Sequence, residues 1–312
     1  MTARAKTHFL PLGAALLLAT VVTGCGPDFD PSSLIEKTRV IGARVEVEGA
    51  PERAAPAPGE TATVTWLMTA PAAIPPLGWA FALCAPNALG NLSCDQAPLD
   101  LYQGSENPPR VAFVVPGSDV LGSARSLILY GRICVASAPT FDAQSGLPGC
   151  TDAGDGTTAA VSVKLEDADY PNHNPVADHG FTFDGQPWAP DAGGDPCAAG
   201  SRVKAGTDEH VIGMVSDGAD RESYTALAGY PAVPTALREA LQISEFTTAG
   251  KLKPGRSFIE AADVAPQTTS EVKWTTPKPE DVTAERAVTF TFVVRDDRGG
   301  VDWTTRSVCV TP

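Results

Sequence analysis

Val288-Thr289-Phe290-Thr291-Phe292-Val293-Val294, then Arg295-Asp296-Asp297-Arg298-Gly299-Gly300 and Val301-Asp302-Trp303, is the stretch that decides the fold. Val288, Phe290, Phe292 and Val294 fall on one face, the period of a half-buried strand. Asp296 to Gly300 forms a turn, in which a Gly-Gly pair supplies positive φ without a Cβ clash. The chain returns through Val301–Val310 with Trp303. Strict alternation on either side of a glycine turn is a β-hairpin.

The same grammar extends upstream. Val40, Ala43, Val45 and Val47 alternate with charged residues in Arg39–Glu48, and Val64, Trp66 and Met68 share a face in Thr61–Met68. Gly78–Cys84, Arg110–Val115, Ser126–Ala136, Ala159–Leu165, Val176–Phe183, His210–Val215 and Glu271–Thr275 are further strand-like runs. In Ala240–Thr247, by contrast, Leu241, Ile243 and Phe246 fit neither period cleanly. Gly and Pro number 29 and 28 of 312 residues, and 43% of residues are hydrophobic. That excess of turn formers over an ordinary apolar fraction fits a loop-rich all-β chain and excludes wholesale disorder. The expected fold is two Ig-like β-sandwich domains in tandem. The polar run Glu166–Pro175, with its two prolines, sets the boundary. The division is 25–37 as a tether, 38–166 as the first sandwich, 167–175 as a linker and 176–312 as the second.

The formal charge is −14, and no basic block offsets it. Nucleic acid and anionic membrane surfaces are therefore poor partners on electrostatic grounds. Residues 1–24 read as a lipoprotein signal peptide. Arg4 and Lys6 lead an apolar run from Phe9 to Val22, which is interrupted and too short for a good span. Val22-Thr23-Gly24-Cys25 resembles a bacterial lipobox, making Cys25 the acylated residue and the new N-terminus. Several acyl chains at ~0.8 kcal/mol per buried methylene give stable anchoring. Gly26 after the Cys leans towards the outer membrane, so the expected location is the cell envelope.

Cys84, Cys94, Cys134, Cys150, Cys197 and Cys309 remain, an even number that reads as disulfides in an oxidising compartment. If bridges stay within halves, Cys197 pairs with Cys309 and three pairings are open to the others. Nearest neighbours close the shortest loops. No C-x-x-C occurs, which argues against structural zinc.

The run Val293–Trp303 resembles the end of Ig-like and PKD-like extracellular repeats. With the lipobox, Thr38-Arg39-Val40-Ile41, Pro58-Gly59-Glu60-Thr61 and Asn174-Pro175, the layout is similar to cell-envelope lipoproteins of myxobacteria and their relatives. The resemblance implies an anchored β-sandwich lipoprotein and brings no known activity.

The chain carries no G-x-S-x-G, H-E-x-x-H, P-loop or G-x-G-x-x-G, so neither catalysis nor an organic cofactor is expected. Ser201-Arg202-Val203-Lys204 spells S-x-x-K in a loop setting without a K-T-G partner. His173, His179 and His210 are the only bases of their kind in the mature chain, and Asp296-Asp297 reads as a solvated turn rather than a glycosidase pair. Asn91-Leu92-Ser93 is a sequon by coincidence. Trp188, in the loop Gly185–Gly200, is the candidate ligand contact, able to stack on a sugar or a partner if exposed, with packing over the sandwich edge as the favoured reading. Asp167, Asp169, Asn172 and Asn174 place four side-chain oxygens at the junction, a candidate calcium set. Cadherin-type repeats look similar in placing such residues before a Pro, although Tyr170-Pro171 and His173 break their pattern. The expected partners are the membrane, through lipid, and an envelope protein or glycan.

Overall fold

The computed structural model describes residues 32–86, 91–167, 169, 171–191, 195–199, 201–228 and 233–312. Cys25 and the leader lie outside the described residues. Pro31–Pro312 forms one compact unit, and its fold is all-β.

The first half contributes β1 (Arg39–Val47), β2 (Thr61–Thr69), β3 (Gly78–Cys84), β4 (Asp100–Gly104), β5 (Arg110–Val114), β6 (Ser126–Cys134), β7 (Pro139–Phe141), β8 (Pro148–Cys150) and β9 (Thr157–Lys164). A single turn of helix, α1 (Ser118–Leu121), lies between β5 and β6. Two sheets, β1-β2-β5 and β4-β3-β6-β9, face one another, and β7-β8 is a small separate hairpin. Val64 and Trp66 of the first sheet meet Phe81, Leu127, Leu129 and Ile133 of the second in one apolar core. The Trp66 indole stacks on the Phe81 ring at 5.1 Å and 11°.

The second half adds β10 (Phe181–Phe183), β11 (Gln186–Pro187), the short helix α2 (Pro196–Ala199), β12 (Arg202–Lys204), β13 (Glu209–Asp217), β14 (Ser223–Ala228) and β15 (Val233–Arg238). Then follow β16 (Leu241–Thr247), β17 (Lys251–Lys253), β18 (Arg256–Ile259), β19 (Gln267–Thr275), β20 (Arg286–Asp296) and β21 (Val301–Thr311). Two five-stranded sheets, β11-β10-β13-β19-β17 and β12-β21-β20-β16-β18, pack as a second sandwich, and β14-β15 stands as a hairpin of its own.

The deciding hairpin is β20–β21, paired from Arg286↔Val310 to Arg295↔Val301. Val288, Phe290, Phe292 and Val294 all enter the second core. The opposite face of β20 is also covered, because Val293 joins Ile35 and Ile41 in a third apolar cluster, flanked by Leu67, Phe246, Val301 and Trp303. Ile41 reaches it through a register shift in β1 between Val40 and Gly42. A bulge of this kind re-aims a side chain. The first-half strands β1 and β2 thus lie on the back of the second half's sheet. The same seam explains the ambiguous segment Ala240–Thr247: β16 sends Leu241 and Ile243 into the core and Phe246 into the seam. A strand covered on both faces loses its period-2 signature.

The cysteines pair as Cys84–Cys94, Cys134–Cys150 and Cys197–Cys309. Separations of 10 and 16 residues close local loops, whereas 112 residues separate Cys197 from Cys309. Chain-entropy reasoning assigns roughly 3 kcal/mol to each short loop and roughly 5 kcal/mol to the long one. Replacing Cys197 and Cys309 by Ser should therefore lower stability to denaturant more than replacing Cys84 and Cys94. A larger loss from the short loop would contradict the assignment.

Candidate functional site

The most heavily built polar site lies where the β20–β21 turn meets the segment Pro171–Pro175. Asp296 Oδ1 accepts the backbone N–H of Arg298, Gly299 and Gly300 at 2.8, 2.6 and 2.7 Å. The two glycines do different work. Gly299 has φ +114°, whereas a Cβ on Gly300 would lie 2.7 Å from the carbonyl oxygen of His173. Positive φ explains the first, and close approach of a second chain segment explains the second.

That segment is the stretch read as a polar linker, and it is packed into the molecule. Ala54 N–H donates to Asn172 O at 2.9 Å, and Asn174 N–H donates to Glu52 O at 2.6 Å. Asn172 and Asn174 are only 5% and 9% exposed. The Asn174 amide donates to Val45 O at 2.8 Å, and its Oδ1 accepts Val301 N–H at 3.0 Å. In the orientation that satisfies both neighbours, the Asn172 amide donates to Glu239 Oε1 at 2.8 Å and accepts Gly300 N–H at 3.3 Å. Buried amides of this kind cost ~1–3 kcal/mol each if left unpaired.

These bonds bear on the candidate calcium set. The side-chain oxygens of Asn172 and Asn174 accept backbone N–H groups, and Asp167 Oδ1 accepts that of Asp169 at 3.1 Å. One oxygen each of Asp167, Asn172 and Asn174 thus accepts one of the chain's own amides. Among the described residues, the one group of three or more His, Cys, Asp or Glu ligand atoms lying within 4.8 Å of one another is Cys197, Glu285 and Cys309. Its two sulfurs are bonded to each other.

Around the turn lies a network of charges. The Arg298 guanidinium reaches Glu222 Oε2 at 3.2 Å and Glu239 Oε1 at 3.1 Å, and it sits 5.1 Å from the centre of the Tyr224 ring. Glu222 N–H donates to Glu239 Oε2 at 3.0 Å, and the His173 imidazole contacts Glu222 Oε1. The Tyr224 hydroxyl donates to Asp297 at 2.9 Å. Burial, reinforced by the nearby Asp296 carboxylate, pushes the Glu239 carboxyl up to about 8. Burial likewise raises Asp296, against three backbone hydrogen bonds that favour its ionised form. Burial and Asp297 push the Tyr224 hydroxyl up to about 12. Above the network a cleft of 230 Å³ is lined by Arg125, Lys164, Asp167, Tyr224, Asp297 and Arg298.

The other sequence candidates are placed as follows. Trp188 is corrected: its ring is 8% exposed and packs edge-on to Phe183 at 5.2 Å and Phe290 at 5.4 Å. Arg306 holds it there, donating to Trp188 O at 2.9 Å and to Asp178 at 2.6 Å, with its guanidinium 3.9 Å from the Phe181 ring centre. The loop folds inward because a buried cation gives its backbone a partner. Ser201 immediately precedes β12, where extended backbone puts Lys204 ~10 Å away on the opposite face. His179 contacts Asp220, and His210 lies 2.7 Å from Asp184. Asp296 caps its own turn while Asp297 holds Tyr224, so the adjacent acids do not converge.

Sequence reasoning passed over Glu239, Glu222, Arg298 and Arg306. Nothing local marks Glu239 within Leu237-Arg238-Glu239-Ala240-Leu241, because its partner Arg298 is 59 residues away. The chain matches no described protein family and no curated protein.

The buried acids make stability depend on pH. Glu239 is held near 8, and desolvation raises Glu245 to about 7. An unfolded chain ionises both at about 4.5, so between that pH and 8 the native state binds more protons and loses stability as pH rises. The thermal midpoint should fall from pH 5 to pH 8, and Glu239→Gln should flatten that slope. A slope unchanged by the substitution would remove Glu239 from the account.

Proposed function

We propose that this protein is a lipid-anchored extracytoplasmic module that binds or braces another component of the cell envelope and performs no catalysis itself. The observation that carries the reading is the set of three disulfides, which occupies every cysteine outside the lipobox. Such a set belongs to an oxidising compartment, and the leader ending at Cys25 supplies the route to one. The resemblance to myxobacterial envelope lipoproteins supports the same reading, and the net charge of −14 favours a protein or glycan partner over nucleic acid. At the junction Glu222 and Glu239 pair with Arg298, His173 contacts Glu222, and Asp296 holds three backbone amides, a pattern that supports a brace.

A calcium-stiffened adhesion module is the second reading, and the hydrogen bonds of Asn172 and Asn174 weigh against it. Cys25→Ser tests the proposal in a cellular fractionation. The wild-type chain should pellet with membranes and carry the mass of added acyl chains, and the variant should be soluble or retain its leader. Equal partitioning of the two, without added mass, would contradict it.

A further inference from the structure

On one side, β16 is paired with β18 from Leu241↔Ile259 to Ser244↔Arg256. Past Gly255, where β18 has not yet begun, Leu34 forms a parallel bridge with Thr247. Thr247 N–H donates to Ser33 O at 2.9 Å, and Ile35 N–H donates to Thr247 O at 2.8 Å. Because the bridge is parallel, the chain before Ser33 points back towards β18. A Cβ on Gly255 would lie 3.0 Å from the Ser33 side chain. The tether therefore joins the described chain beside the turn Pro254-Gly255.

That turn links β17 to β18, each the last strand of its sheet, so the two run along one edge of the second sandwich. Lys251, Lys253 and Arg256 are exposed there, and Phe258 keeps 58% of its surface in solvent. Residues 248–259 hold these three cations and no acid. Among the described residues no carboxylate forms an ion pair with any of the three, although Arg256 lies near the buried Glu245. Arg39 adds a fourth cation beside the tether, donating to Ser32 O at 3.0 Å. The acids nearby in sequence are Glu36, followed directly by Lys37, and Glu260, past the far end of β18; Asp28 and Asp30 belong to the tether itself.

The net charge of −14 speaks against an anionic membrane for the chain as a whole. Exposed charges farther apart than ~8–10 Å are, however, largely screened from one another at physiological salt. What matters is the face that a bilayer meets. Seven residue steps separate Ser32 from Cys25, a span of ~25 Å at full extension. A bilayer that holds an acylated Cys25 is therefore within that reach of this edge, the part of the described chain at which the tether arrives.

We propose that the β17–β18 edge rests on the anionic lipid headgroups of the membrane that holds the anchor, through Lys251, Lys253, Arg256 and the exposed ring of Phe258. Lysine and arginine beside a negatively charged leaflet are attracted to its headgroups. Their long stems let both charged rows of the edge converge on one surface. An aromatic ring suits the boundary between headgroups and acyl chains. Acyl chains alone leave a protein free to swivel on its tether, and a second contact of this kind fixes which edge faces the bilayer. The inference rests on the lipid-anchored reading above.

The test uses residues 26–312, which contain the whole compact unit 31–312 and lack Cys25. At low salt this chain is sedimented with vesicles of phosphatidylcholine alone, or of phosphatidylcholine and phosphatidylglycerol in equal parts. Partitioning to the anionic vesicles should be at least tenfold stronger, and added salt should erase the difference. Lys251→Glu combined with Arg256→Glu, both exposed positions, should remove that preference, and Phe258→Ser should weaken it severalfold. An unchanged thermal midpoint shows that the variants remain folded. In the lipidated full chain, amide exchange at residues 256–258 should be slower on anionic than on neutral vesicles. Equal partitioning to the two kinds of vesicle would overturn the proposal, as would a preference that survives the charge reversals, or equal exchange rates. Because the sedimented chain has no Cys25, its result does not depend on acylation, and the fractionation of Cys25→Ser judges the anchor separately.

Discussion

Phe292 and Val293 are neighbours on β20, one 1% and the other 0% exposed, and they are buried on opposite faces. Phe292 belongs to the second core, whereas Val293 meets Ile35 and Ile41 in the seam. Full burial of side chains of this size contributes ~1.5–3 kcal/mol each. A single strand therefore draws on two apolar layers. The first half is fixed to the second by the same element that organises the second half's own core, which is why residues 31–312 form one compact unit.

The polar junction follows from that seam. Once β1 lies on the back of the β20 sheet, its outward carbonyls at Ile41 and Val45 come within reach of Arg295 and Asn174. The 296–300 turn is brought against His173, which leaves no room for a side chain at Gly300. Glu239 and Arg298, 59 residues apart, meet behind it. Covering a strand edge with side chains is a common defence against unwanted pairing. Here the carbonyls of Ile41 and Val45 on β1 are covered in that way.

Alternation around a glycine turn made the β20–β21 hairpin legible before any coordinates, and cysteine parity left Cys197–Cys309 as the within-half pairing. Both signals are local or arithmetic. For Trp188 the sequence offered both packing and exposure, and what fixes the packed ring is Arg306, 118 residues away, which bonds its carbonyl. The 167–175 stretch looked like a linker because its asparagines are polar, yet their amides are satisfied by backbone groups of residues 45, 300 and 301 and by the Glu239 carboxyl. Glu239 gave no sign, since an acid between Arg238 and Ala240 is ordinary until Asp296 and Arg298 are placed around it. Period reveals which face of a strand is apolar. It does not reveal that the opposite face is covered by another part of the chain.

The central claim is that the seam makes the two sandwiches one cooperative unit. Differential scanning calorimetry of the disulfide-intact chain tests it most directly. The seam predicts a single transition whose calorimetric and van't Hoff enthalpies agree, and Val293→Asp should split it into two. Two resolved transitions in the wild-type chain, unmoved by Val293→Asp, would show that each sandwich stands alone and that the seam is a passive contact.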